Sequence, residues 1–244
     1  MNQYRLVTIK EIITYHDDLK CFVFDHSFDS KAGQFVMVWI PGMDEKPISL
    51  SSPDRITIKR IGPFTKEIFK LKAGDKLQLR GPFGNGFPES LGEKVIAIGG
   101  GCGIAPLFHI ENVDTYVFAG KTKEDIPQVD GAKLVAATED GTLGTKGFVT
   151  EAPIPIGDFQ YYICGPEIMM KAVAEKLIKE KVDAKNIFIS MERYMKCAIG
   201  VCGNCSFSGY RVCADGPVFR YDIIKDLPHF NELHRTRTGE LVKK

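Results

Sequence analysis

The sequence predicts a β barrel followed by an α/β parallel-sheet domain, with a small C-terminal segment organised as a cysteine loop. Three observations predict it. Short β-branched and aromatic runs, punctuated by turn residues, fill the chain to about residue 90. Beyond that point the strands become continuous apolar runs followed by glycine-rich turns, the pattern of a sheet covered on both faces. Past residue 190 come four of the seven cysteines, spaced C-x4-C-x2-C-x7-C. The expected boundaries are 1–91, 92–190 and 191–244.

In the first unit the runs Cys21–Asp25, Gln34–Ile40 and Arg55–Arg60 read as strands. Ala32-Gly33, Pro41-Gly42, Ser52-Pro53-Asp54 and Ala73-Gly74-Asp75 separate them as turns. Many short strands at close spacing suit a closed antiparallel barrel, which leaves no open edge. Lys66–Leu71 is expected to form one short helix before Asp75. In the second unit Lys94–Ile98, Thr115–Ala119, Lys133–Ala137, Gln160–Cys164 and Asn186–Ser190 read as parallel strands. The clearest helix is expected from Pro166 to about Lys181, with Met169, Ala172, Val173 and Leu177 on its buried face.

The chain has 244 residues, 44% of them hydrophobic, and a formal charge of +1. Such a balance gives no argument for a nucleic-acid partner. The N-terminus lacks a signal-peptide layout, and no apolar run reaches the length of a membrane span. The expectation is a soluble cytoplasmic protein.

Four cysteines so close together in a reducing compartment point to a metal centre rather than to disulfides. Cys197, Cys202 and Cys205 fit the plant-type iron–sulfur run C-x4-C-x2-C, with Cys213 as the downstream ligand. Gly200 and Gly203 lie between them, where a loop turning several sulfurs inward needs residues that tolerate positive φ. A [2Fe–2S] cluster is the preferred reading. Structural zinc, which also takes four cysteines, is the alternative. The five histidines show no ligand spacing, and His109 reads as a satisfied structural residue. Cys21, Cys102 and Cys164 read individually as small buried residues.

Other stretches carry candidate chemistry beside an ordinary reading. Lys46-Pro47-Ile48-Ser49 is either a strand with a proline, or a place where backbone and Ser49 meet a flat ring and Lys46 a phosphate. Phe64-Thr65 opens the short helix, as an anion site or a plain cap. Gly99, Gly100, Gly101 and Gly103, then Ile104 and Ala105, follow a buried strand as a phosphate-approach loop would. The loop is not G-x-G-x-x-G, since Pro106 stands where the third glycine belongs, and no acidic residue ends the second strand. Cys164-Gly165-Pro166 ends another strand, where ligands of open α/β sheets bind, and Cys164 is the candidate to face a reacting ring carbon. Thr138 and Asp140 end the third strand in the same way; the ordinary reading there is a solvated turn.

With these residues assembled, the whole chain resembles the ferredoxin–NADP reductase superfamily. Within it, the chain resembles the electron-transfer subunits of NAD-dependent, two-subunit dihydroorotate dehydrogenases. Lys46-Pro47-Ile48-Ser49 matches the family's Arg-Pro-x-Ser flavin motif, with lysine keeping the charge but not the planar fork. Ile58, Lys59 and Arg60, with Phe64-Thr65 in place of Gly-Thr, match its other flavin contacts. Gly99–Pro106 matches the nicotinamide loop Gly-Gly-x-Gly-x-Ala-Pro, Cys164-Gly165-Pro166 the Cys-Gly-Pro, and Cys213–Phe219 the family's Cys-x-Asp/Glu-Gly-Pro-Val-Phe.

The resemblance implies FAD, a [2Fe–2S] cluster and NAD as substrate. It also implies a separate FMN-bearing catalytic subunit, in an assembly of two plus two, serving pyrimidine biosynthesis. The γ subunits of sulfhydrogenases share the layout and are the near alternative; a zinc-stabilised, non-catalytic binding module is the distant one. Arg193, Tyr194, Met195, Ile199 and Val201 surround the cysteines. Ile199 and Val201 are partner contacts if exposed and a shield if buried. The basic tail, Arg235, Arg237, Lys243 and Lys244, is a second candidate contact, or an ordinary solvated end.

Overall fold

The computed structural model describes residues 3–90, 93–236 and 238–243. Arg237 and Lys244 of the basic tail, and the expected boundary at 91–92, lie outside the described residues. Six strands, β1 (Arg5–His16), β2 (Leu19–Phe24), β3 (Phe35–Trp39), β4 (Glu45–Ser52), β5 (Arg55–Lys59) and β6 (Lys76–Phe83), close a barrel in the order β1-β2-β5-β4-β3-β6. Every neighbouring pair is antiparallel. The two-residue period of a strand sets what goes inside. Ile56 and Ile58 of β5 point into the barrel. On β3 the alternation serves two cores: Val36 and Val38 fill the barrel, while Phe35 and Met37 face the other way, into the core of the second sheet.

The short helix, α1 (Pro63–Ile68), begins three residues before the expected Lys66 and ends before Leu71. Pro63 presets the first helical φ, and the Thr65 hydroxyl accepts hydrogen bonds from the N–H groups of Ile61 (2.9 Å) and Gly62 (3.0 Å). Phe64 and Ile68, one turn apart, then both bury in the barrel core.

The second sheet holds β7 (Val95–Gly100), β8 (Val113–Gly120), β9 (Lys133–Thr138), β10 (Thr145–Lys146), β11 (Gln160–Cys164) and β12 (Ile187–Ser190), all parallel. The order β10-β9-β8-β7-β11-β12 places a topological switch between β7 and β11. Ligands of doubly wound sheets bind outside the strand carboxyl ends at such a point. β7 leads into a 3₁₀ segment, Gly101–His109, which holds Pro106 and buries Gly103 to Leu107. His109 is not satisfied as expected: its Nδ1 is buried with no hydrogen-bond partner among the described residues.

The long helix is α2 (Glu167–Lys179). Pro166 is its cap rather than its first residue, and Lys181, at φ 67°, closes the turn beyond it. Its buried face is Met170, Val173, Ala174 and Leu177, the i, i+3, i+4, i+7 set. Met169 and Ala172 are half-buried instead. Met169 lies over Gly100 and Gly165, where a Cβ on Gly100 would meet its sulfur at 2.3 Å.

The C-terminal segment is woven into this sheet rather than hung from it. After the hairpin β13 (Ser206–Phe207) and β14 (Tyr210–Arg211) and the turn α3 (Val212–Asp215), β15 (Val218–Arg220) pairs antiparallel with β12, Ile189 opposite Phe219. A short α4 (Tyr221–Ile224) and a final hairpin of β16 (Leu233–Arg235) and β17 (Leu241–Lys243) follow. Cys205, Phe207, Val212, Cys213 and Phe219 share one apolar core with Ile96, Ile98 and Ile163 of the sheet and with Phe35 and Met37 of the barrel. No helix among the described residues is long and apolar enough to cross a membrane.

Candidate functional site

The carboxyl ends of β7 and β11 open onto a cleft of about 260 Å³ between the sheet and the barrel. Phe35, Pro47, Ile48, Ser49, Ile58 and Lys59 form the barrel wall; Cys102, Gly103, Ala105, Pro106 and Cys164 form the sheet wall. Gly103 is required by close approach: a Cβ there would stand 2.5 Å from the Cys164 carbonyl oxygen. Met195 and Pro217, from either side of the cysteine loop in sequence, also line the cleft. Burial pushes the Cys164 thiol far up, and the charge of Glu192 adds to it, so Cys164 faces the cleft as a neutral thiol.

A second cavity of about 680 Å³ continues from the first, sharing Pro47, Ile48, Thr65, Glu192 and Arg193 with it. Lys46 lines it in the company of Asp44 (2.9 Å) and the Tyr194 hydroxyl (3.2 Å). Burial opposes ionisation of Asp44, but hydrogen bonds from Lys46 and Tyr194 outweigh it and bring its carboxyl to about 2. Together the two cavities offer a flat, largely apolar slot joined to a larger compartment with cationic residues. That donor set fits a flavin ring with a phosphate-bearing tail.

The four clustered cysteines divide into two pairs. Cys202 is exposed and Cys197 half-buried; Cys205 and Cys213 are buried. Backbone N–H groups point at the sulfurs: Cys202 N at Cys197 Sγ (3.4 Å), Cys213 N at Cys205 Sγ (3.4 Å) and Gly200 N at Cys213 Sγ (3.2 Å). Gly200 and Gly203 do adopt positive φ, at 76° and 69°, and Ala198 joins them at 63°. Burial raises the Cys197 thiol, but N–H groups of Cys202, Ile199 and Val201 overcome this and bring it down to about 6. Cys213 is pushed up to about 12 by burial and by Cys205 beside it. Both pairs carry amide donors, and those around Cys197 favour its anionic form, as a sulfur ligand requires. Among the described residues, no three His, Cys, Asp or Glu side chains converge as ligands of one metal ion would.

Residues far away in sequence hold this loop. Arg80 of β6 grips Glu45 with two nitrogens (2.6 and 2.7 Å) and donates to the carbonyls of Lys196 (2.9 Å) and Cys197 (2.8 Å). Asn85 donates to the carbonyls of Ala214 (3.1 Å) and Asp215 (3.2 Å). Arg193 forms a buried ion pair with Glu167 at the start of α2, their side chains 2% and 3% exposed.

The sequence-predicted residues divide accordingly. Pro47, Ile48, Ser49, Ile58, Lys59, Thr65, Gly103, Ala105 and Cys164 line the deep cleft, and Lys46 and Phe64 the second cavity. Gly101 and Ile104 open on a small neighbouring pocket, and Gly165 and Pro166 on another that Glu192 also reaches. Gly99 and Gly100 are buried behind the loop, and Arg60 lies over the Phe69 ring. Thr138 is fully buried with its hydroxyl engaged by Leu143. Asp140 accepts from Thr142 as the anchor of a turn. Cys21 and Cys164 are buried as expected, whereas Cys102 is exposed at the cleft. Sequence reasoning missed Arg80, Glu192 and Ser190, none of which sits in a recognisable motif of its own; Pro217, in the ending already noted, also lines the cleft. Arg235, read as a tail residue, lines the second cavity. Ile199 (44% exposed) and Val201 (77%) flank the cysteines in the open, whereas Met195 and Arg193 are buried.

A barrel set against a doubly wound sheet, with a cleft at the switch point and a cysteine loop adjoining it, defines a ferredoxin-reductase-like oxidoreductase subunit. Residues 192–225 match the iron–sulfur cluster binding domain of dihydroorotate dehydrogenase B. A Thermococcus kodakarensis protein, described as a probable electron transfer subunit of dihydroorotate dehydrogenase B (NAD(+)), is 44% identical over 88% of this chain and 96% of its own length. A Pyrococcus horikoshii protein of the same description is 42% identical over 97% of this chain and 98% of its own. The chain belongs to this family of electron transfer subunits. A solved NADH-dependent reduced ferredoxin–NADP oxidoreductase superposes with a TM-score of 0.76 at 26% identity, over 98% of this chain and 97% of that one. A ferredoxin reductase of carbazole 1,9a-dioxygenase, at 21% identity over 77% of this chain and 68% of its own, shares the fold with a TM-score of 0.67. Family and fold support an iron–sulfur centre and FAD as the cofactors, and the subunit name implies a catalytic partner.

Proposed function

We propose that this chain carries electrons between an FMN-bearing, dihydroorotate-oxidising subunit and NAD⁺. The route is a [2Fe–2S] cluster held by Cys197, Cys202, Cys205 and Cys213 and an FAD seated in the cleft. The carrying observation is that Met195 and Pro217, which flank the cysteine loop in sequence, also line the cleft at the switch point. A bound flavin exchanges a hydride with nicotinamide and single electrons with an iron–sulfur centre, which is the match this reaction needs.

The chain's own residues orient and exclude. Pro47, Ile48 and Ser49 present the barrel face of the slot. Gly103 and Ala105 let a second ring approach from the sheet side, and the neutral Cys164 thiol packs there without adding charge. Gly99, Gly100, Gly101, Ile104, Gly165 and Pro166 shape the turns behind these contacts. The exposed edge at Cys202, with Ile199 and Val201 beside it, supports a protein docking face for the catalytic subunit. An assembly of two plus two copies in a reducing cytoplasm, serving pyrimidine biosynthesis, follows from the same reading. The domain reading 1–91, 92–190 and 191–244 is kept as functional units, with β15 of the third completing the sheet of the second.

The test is co-expression with the catalytic subunit, followed by size exclusion, cofactor analysis and an assay of dihydroorotate-dependent NAD⁺ reduction. The expected result is co-elution, coupled activity, FAD, and about two iron and two sulfide per chain, as a [2Fe–2S] cluster requires. One zinc without iron, or no coupled activity with all cofactors present, overturns the proposal.

A further inference from the structure

The second cavity is lined by three cations among the described residues: Lys46, Arg193 and Arg235. Two of them already have an anion. Lys46 is held by Asp44 at 2.9 Å, and Arg193 by Glu167 in a buried pair. Glu192 adds a further carboxylate to the same wall. Among the described residues, Arg235 is the cation of this cavity with no carboxylate within ion-pair distance. Its Nη1 donates to the Gly239 carbonyl of its own hairpin at 2.8 Å.

That hairpin fixes where the guanidinium sits. Arg235 pairs with Leu241 across β16 and β17, and Thr236 N donates to the Glu240 carbonyl at 2.8 Å. The side chain is half-buried and lines a compartment that Lys46 to Ile48 and Gly62 to Thr65 also line. The compartment is continuous with the ring-sized cleft through Pro47, Ile48 and Thr65. A ligand with its ring in the cleft therefore extends into the compartment that Lys46 and Arg235 both line.

A flavin mononucleotide presents one phosphate, which one lysine ammonium can meet as a point charge. A dinucleotide presents two linked phosphates. The planar, multiply donating fork of arginine is suited to bridging phosphate oxygens, and lysine is not. We propose that Arg235, on the C-terminal hairpin, binds the diphosphate of the flavin dinucleotide and thereby selects FAD over FMN. This rests on the flavin reading above, and it makes the C-terminal hairpin a wall of the cofactor site.

The test uses the full-length chain with its cluster in place and its flavin removed, titrated with FAD and separately with FMN by flavin fluorescence. The wild-type chain is expected to bind FAD more tightly than FMN. Arg235→Ala should weaken FAD binding at least tenfold while changing FMN binding less than twofold. Arg235→Lys should fall between. Arg235→Gln, which keeps bulk without charge, should match the alanine variant and guards against a local packing defect. Iron content and cluster absorption should be unchanged in all three. FAD affinity within twofold of wild type in both Arg235→Ala and Arg235→Gln overturns the inference, as does an equal loss of FAD and FMN binding, which marks the hairpin as a prop. A wild-type chain that binds neither flavin overturns the underlying flavin reading instead.

Discussion

Cys197, Cys202, Cys205 and Cys213 lie within seventeen residues on local turns, with amides of Gly200, Cys202 and Cys213 aimed at neighbouring sulfurs. The walls of the cleft come from Phe35, Ser49, Gly103, Cys164, Ser190 and Pro217, spread across most of the chain. The first region needs its ligands and permissive backbone; the second needs the barrel and the sheet to meet correctly. The difference shows in how each is secured. The loop carries donors of its own, yet it is also fastened to the barrel by Arg80 and to α2 by Arg193. A local centre that must sit next to a non-local cleft is held by side chains from both.

The sharpest way to separate the two regions is Cys205→Ser. Cys205 is 2% exposed and belongs to the interior pair. The variant should lose most of its iron and all dihydroorotate-dependent NAD⁺ reduction, while NADH oxidation by a dye persists through the cleft. Iron analysis and the two assays, run side by side, check it. Loss of both activities would show that the cleft depends on an intact loop.

Arg193→Ala comes next. It removes the ion-pair partner of the buried Glu167 carboxylate, whose other oxygen accepts from Asn231 N at 3.2 Å. Breaking a buried pair from one side typically costs about 3–5 kcal/mol. Urea unfolding should report a loss of that order, with the cluster segment loosening together with α2.

Arg80→Ala should cost less, about 2–3 kcal/mol, because its partners are two carbonyls and a Glu45 side chain that is 15% exposed. Its signature is regional: a chelator should strip iron faster, while flavin affinity changes little. Equal iron loss rates in variant and wild type would remove Arg80 as a fastening.

The smallest effect concerns pH. The Asp44 carboxyl is held at about 2 in the folded chain against an ordinary value of 3.8. A lowered folded-state value gives stability that is fully present above about 4 and is lost as pH falls toward 2. Asp44→Asn should therefore flatten the acid limb of the stability curve in that window and lower stability above it by an amount that does not change with pH. Denaturation midpoints at pH 2.5, 4 and 7 measure it. An unchanged acid limb would mean that Lys46 and Tyr194 do not hold Asp44 in solution.

The sequence by itself marked β2 to β5 of the barrel but not β1 or β6, the parallel strands other than β10, the cysteine spacing and the cleft's sheet wall. Each of these is written in a short window: an alternation, an apolar run, a ligand spacing, or a glycine beside a strand end. The sequence pattern puts Met169 and Ala172 on the buried face of α2, because a helix phase read from periodicity alone tolerates a shift of one residue. Only the backbone shows that Met170 points inward and Met169 covers Gly100 and Gly165. α1 started early because Thr65 serves the amides of Ile61 and Gly62, a choice made by hydrogen bonding rather than by periodicity.

The tertiary structure alone decided what lies between distant windows. Arg80 meets the carbonyls of Lys196 and Cys197, Glu192 lines the cleft with Cys102 and Cys164, β15 joins β12, and Arg235 reaches the cavity of Lys46. No local pattern encodes such meetings. A charged side chain carries the same letter whether it ends in solvent or beside a partner more than a hundred residues away, and only the closing of the barrel against the sheet settles which.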